Sequence, residues 1–110
     1  MAYDRELANR IREVLGAEKN VSEKAMFGGL AFLVNGNLAV SASGRGGLLL
    51  RVDPAETDTL VADPHAERFV MRGRSMDGWL GIGLDGIDTD DDLRRWVSIG
   101  VTYARSLPPK

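Results

Sequence analysis

Cysteine is absent from the 110 residues, which removes disulfides, thiolate metal ligands and a cysteine nucleophile together. Histidine occurs once, at His65. It follows Pro64 in what should be an exposed turn with no nucleophile predicted beside it, so it reads as a surface residue and not as a general base. No serine sits in a Gly-x-Ser-x-Gly elbow, which takes away the simplest hydrolase pattern. Neither sign of charge dominates: 14 basic against 16 acidic residues give a formal net charge of −2, so the strongly basic footprint of a nucleic-acid binder is missing. No apolar run approaches membrane-spanning length, and the opening Met1-Ala2-Tyr3-Asp4-Arg5-Glu6 is charged at once. The expectation is a cytoplasmic protein with no membrane partner. Repeats and long Pro/Gly/Ser linkers are also lacking, so residues 1–110 read as one domain, long enough to bury roughly 65% of its unfolded surface.

What is present centres on the stretch from Met26 to Val40, the longest apolar run, which carries its own reversal signal. Asn35-Gly36 supplies the two positive φ angles of a type I′ turn and predicts a β-hairpin. A two-residue turn pairs Val34 with Asn37, Leu33 with Leu38, Phe32 with Ala39 and Ala31 with Val40. That register puts Phe27, Ala31, Leu33, Leu38, Val40 and Ala42 on one face and Met26, Leu30, Phe32 and Val34 on the other.

Before the hairpin, Asp4 caps a helix whose Leu7, Ala8, Ile11, Val14 and Leu15 recur at helical spacing, with Gly16 as its stop and a polar loop over residues 17–23. After it, residues 48–52 read as a third strand. Asp53-Pro54-Ala55-Glu56 starts a short helix with Asp as cap, Pro in the first position and Glu in the third. Residues 68–72 and 79–84 alternate as a fourth and a fifth strand. Thr89 caps a last helix with Asp90, Asp91 and Asp92 at its positive end and Leu93, Trp96, Val97, Gly100, Ala104 and Leu107 as its buried stripe. The order α-β-β-β-α-β-β-α predicts a two-layer α+β domain, a five-stranded antiparallel sheet covered by helices on one face.

The uncovered face is expected to display Leu30, Phe32, Val34, Leu49, Arg51, Val70 and Trp79, with Arg68 and Arg72 among them. So much apolar surface marks a partner site, read first as a homodimer or protein–protein interface. A second reading makes it a nucleic-acid surface, with Trp79 stacking beside Arg51, Arg68 and Arg72, against which the acidic balance counts. A third is a small-ligand binder or an enzyme of unspecified reaction. The chemistry motifs themselves fail. Asp88, Asp90 and Asp92 have the spacing of a calcium loop, but Leu93 and Ile99 stand where its glycine and bidentate glutamate belong. Gly44-Arg45-Gly46-Gly47 lacks the Lys-Ser/Thr of a phosphate loop and reads as a hairpin turn. No catalytic, cofactor-binding or metal-binding residue is assigned.

Taken together, Met26-Phe27-Gly28-Gly29, the run through Asn35-Gly36-Asn37, Leu50-Arg51-Val52, Gly73-Arg74 with Met76 and Gly78, and the tail Ala104-Arg105-Ser106-Leu107-Pro108-Pro109-Lys110 form a specific set. The set resembles the N-terminal domain of the TfoX/Sxy family of bacterial competence regulators, in a stand-alone form without the second domain. The resemblance implies a helix-flanked antiparallel sheet similar to secretion-chaperone-like folds. It also implies a role in transcriptional regulation of DNA-uptake genes, exerted through another regulator as partner, and it supplies no catalytic residues. Ser75 and Asp77 depart from the Pro and Lys that similar proteins usually carry.

Overall fold

The first helix, α1 (Arg5–Val14), starts where the sequence places its cap: Asp4 Oδ1 accepts the Leu7 N–H at 3.1 Å. The computed structural model of the chain describes residues 3–26, 28–44, 46–71 and 73–109, with the Met71 side chain outside that description. Phe27, Arg45, Arg72 and Lys110, on which parts of the expected faces, turn and tail fall, therefore lie outside the described residues.

Next come β1 (Val21–Met26), β2 (Gly29–Val34), β3 (Asn37–Ala42) and β4 (Leu48–Arg51), each antiparallel to the one before. A 3-10 turn (Pro54–Glu56) runs into the short helix α2 (Thr57–Leu60), followed by β5 (Ala66–Met71), β6 (Arg74–Ile82), a second 3-10 turn (Leu84–Ile87) and α3 (Asp90–Ser106). The sheet order is β1-β2-β3-β4-β6-β5. It has six strands where five were expected. The addition is β1, whose Ser22, Glu23 and Lys24 are exposed, so this edge strand carries no alternating apolar pattern to announce it.

Asn35 and Gly36 have φ of 53° and 81°, the type I′ geometry expected of them. Two residues beyond, the register departs from the expectation. Leu33 pairs with Leu38, but Phe32 pairs with Val40, so Ala39 is an extra residue on β3, a β-bulge. The bulge shifts one strand by a position. Leu30, Phe32 and Val34 thereby join Val40, Ala42, Leu48, Leu50, Leu80 and Ile82 on the face under the helices. The expected assignment, with Leu30, Phe32 and Val34 facing outward, is corrected: they are 8%, 1% and 0% exposed.

Against that face lie Leu7, Ala8 and Ile11 of α1 and Leu93, Trp96, Val97, Val101 and Ala104 of α3. Thr89 Oγ1 caps α3 by accepting the Asp92 N–H at 3.1 Å. The helix approaches the sheet at Gly100, where an added Cβ would stand 2.5 Å from the Ala39 carbonyl oxygen and 2.7 Å from Leu50 Cδ1. A glycine there sets the interlayer distance. The two ends of the chain's signature also meet: the buried Asn37 donates from Nδ2 to the Pro108 carbonyl at 3.0 Å and to that of Ala104 at 3.5 Å. No helix among the described residues is long and apolar enough to cross a membrane.

Candidate binding cleft on the open sheet face

Register alone defines a row on the side away from the helices. Ser41 stands opposite Leu49, Leu49 opposite Gly81, and Gly81 opposite Glu67, crossing β3, β4, β6 and β5 in turn. Three members bring a side chain and Gly81 brings none. A Cβ built on Gly81 meets no atom within 4 Å, and its φ is one that any residue adopts. A hollow of about 270 Å³ opens at this bare position, with Leu49, Glu67, Phe69 and Val70 among its lining. Leu49 is 2% exposed and forms the base, whereas Val70, 44% exposed, stands at the rim. A neighbouring hollow of about 500 Å³ shares Gly46, Glu67 and Gly83 with it and is bounded by His65, Leu84 and Asp85. Val70 and Leu84 are the exposed large hydrophobic residues among those described, and each borders one of these two hollows.

β5 and β6 are out of step beside the cleft. Arg68 pairs with Leu80, yet Phe69 pairs with Met76, leaving Asp77, Gly78 and Trp79 as extra residues of β6 between those two pairs, a bulge. That bulge is tied down. The Gly78 N–H donates to the buried Thr57 Oγ1 at 2.8 Å, and the Gly78 carbonyl accepts the Val52 N–H at 2.9 Å. Arg68 Nε donates to Asp77 Oδ1 at 3.1 Å and its Nη2 to Asp58 Oδ1. Hydrogen bonding to Asp77 first, then to Asp58, raises the Arg68 pKa above its ordinary value. Asp77 therefore has a structural use in this chain, as an anchor for an arginine that would otherwise face solvent.

The seven residues expected on one surface separate into three groups. Leu30, Phe32 and Val34 are core. Leu49 and Val70 come together at the cleft. Arg51 and Trp79 stand opposite each other at the end of β4, with the Arg51 guanidinium 5.5 Å from the Trp79 ring centroid and 5.7 Å from that of Tyr103 on α3. Sequence reasoning missed Glu67 and Phe69 as cleft residues. Gly81, a residue with no side chain inside the expected fifth strand 79–84, was the available signal.

Other candidates resolve as structure. His65 is exposed; its N–H donates to Asp63 Oδ1 at 2.9 Å and its carbonyl accepts from Gly83 at 3.1 Å, which makes it a corner of the backbone. Asp90 pairs with Arg10 at 3.4 Å in the acidic start of α3. Among the described residues, no group of three or more His, Asp or Glu side chains is placed to hold a metal ion.

The family model of the TfoX N-terminal domain matches residues 13–104, most of the chain. The chain belongs to the TfoX N-terminal domain family. No curated protein and no solved structure matches it. Within this TfoX N-terminal domain the signature positions serve the backbone. Gly28, Gly36, Gly73 and Gly78 all have positive φ, and a Cβ on Gly29 would fall 2.2 Å from the Ala42 carbonyl oxygen. None of the described signature residues Met26, Gly28, Gly29, Asn35, Gly36, Gly73, Arg74, Met76 and Gly78 lines the cleft. The described residues on which the resemblance rests lie in the scaffold, and the cleft is built from other residues.

Proposed function

We propose that this TfoX N-terminal domain is a small, non-enzymatic interaction module with a regulatory role, and that its cleft at Gly81 receives an apolar side chain of a partner protein. The observation that carries the reading is the bare Gly81 between Leu49 and Glu67, with the exposed Val70 at its edge. At about 270 Å³ the hollow falls below the usual range for enclosed ligand sites, about 300 to 1,000 Å³. Its size suits one large side chain. Family membership supports the regulatory half of the reading, with transcription of DNA-uptake genes as the process that the resemblance implies. The Arg51 guanidinium already packs against Trp79 and Tyr103, which counts against Trp79 and Arg51 serving as a base-stacking and phosphate-contact pair for a nucleic acid.

The test uses Gly81→Leu, whose Cβ meets no atom within 4 Å and whose side chain occupies the hollow, and Val70→Glu, which charges its rim. Both variants are expected to keep the thermal midpoint of the parent. Light scattering reports self-association, and cross-linking in the native host reports other partners. A complex present with the parent and lost in both variants supports the cleft, whether the partner is a second copy or another protein. The same complexes at the same yield with both variants would overturn it.

A further inference from the structure

A separate concavity of about 540 Å³ shares no lining residue with the sheet cleft. It lies between one flank of α3 and the segment that carries the first 3-10 turn and α2. Ile99 and Tyr103 on α3 and Leu60 on α2 are half-buried and give it an apolar base. Ser98, Thr102 and Ser106 recur at every fourth residue and edge it with small hydroxyl side chains. Asp53 and Glu56 form the opposite wall. Among the described residues neither of these carboxylates belongs to an ion pair, whereas Arg10, Arg12, Arg68, Arg95 and Arg105 each hold an acid elsewhere. Arg51 reaches the Tyr103 ring but does not line the groove.

We propose that this groove docks a cationic amphipathic helix of a partner protein. Three features select that occupant. A straight run of small residues over two helical turns lets a second helix axis approach to about 8–10 Å. The apolar base formed by Leu60, Ile99 and Tyr103 fits side chains spaced three and four apart on the incoming helix. The two carboxylates on one wall favour lysine or arginine at its border and disfavour phosphate, which sets a polypeptide above a nucleic acid.

The experiment titrates the ¹⁵N-labelled full chain with a synthetic helical peptide carrying leucine on one face and lysine at its border. The same peptide with glutamate in place of lysine serves as the control. The expected result is amide shifts confined to Leu60, Ile99, Thr102, Tyr103 and their neighbours, with no binding of the glutamate peptide. Glu56→Lys, at an exposed position, is expected to weaken binding by about ten-fold or more. Asp53→Asn should weaken it while keeping an acceptor for the Ala55 N–H that Asp53 now caps at 2.9 Å. Thr102→Lys should abolish it. Glu67→Lys, in the sheet cleft, should leave it unchanged. The proposal is overturned if Glu67→Lys weakens binding as much as Glu56→Lys, since that would be generic attraction to an acidic protein. It is equally overturned if the shifts fall on β5 and β6, if both peptides bind alike, or if neither binds at millimolar concentration.

Discussion

Asn37 links the two halves of the family signature, because its buried amide joins the hairpin turn to the carbonyls at the end of α3. Removing it breaks this tie to the exposed Pro108 and takes side-chain packing out of the buried Asn37 position. Asn37→Ala is expected to lower stability by about 1–3 kcal/mol, read as a shift of the urea midpoint at constant slope. A double-mutant cycle separates this tie from loss of side-chain packing. Truncation after Leu107 should destabilise the parent more than it destabilises the Asn37→Ala chain, and equal effects would show that the tie does not operate. Arg68 gives a second lesson at this scale. Its place in an alternating strand predicted an outward-facing cation, but Asp58 and Asp77, ten and nine residues away, fold back on it.

Among the elements, the fit of α3 on β3 is the most exacting. Gly100→Ala drives a methyl group against the Ala39 carbonyl, a backbone atom that cannot rotate away. The expected cost is about 1–3 kcal/mol or more, seen as a lower thermal midpoint, with binding at the sheet cleft retained in the folded fraction. The legibility of the elements in the sequence divides along physical lines. The caps Asp4 and Thr89 and the Asn35-Gly36 turn are local chemistry and were readable. The stripe of α3 was readable too, because helical spacing needs no partner to define it. The bulge at Ala39 was not, since an extra residue in an apolar strand leaves the hydrophobic pattern intact while reversing which face each side chain takes. β1 escaped notice because its polar residues suit an edge strand and a loop equally well. The cleft depends on three strand pairings at once, so Gly81 could be seen as bare but not as the centre of a hollow.

Over the whole molecule, exposed ion pairs give a pH dependence of defined sign. The Arg12 guanidinium holds Glu23 below the ordinary carboxylate value of 4.5. The backbone N–H of His65 foremost, then Arg95, holds Asp63 below its ordinary 3.8. Because both are depressed in the folded chain, their stabilisation is complete above those ordinary values and is lost as pH falls through the folded ones. Both groups are partly exposed, so the effect is modest. Urea midpoints taken from about pH 5 down to about pH 2.5 should fall less steeply for a Glu23→Gln, Asp63→Asn double variant than for the parent. Identical slopes would mean that neither carboxylate contributes.

The Asn37–Pro108 hydrogen bond spans 71 positions of sequence, and the helix it anchors covers strands that are joined to one another by short turns. In kinetic terms the molecule combines a fast part and a slow part. The β1–β4 meander forms from neighbouring segments, but its Leu30, Phe32, Val40 and Leu50 side chains have only α1 as cover until α3 closes a loop of about two-thirds of the chain. A meander covered by α1 alone leaves apolar side chains open to association, and the docking of α3 closes them off.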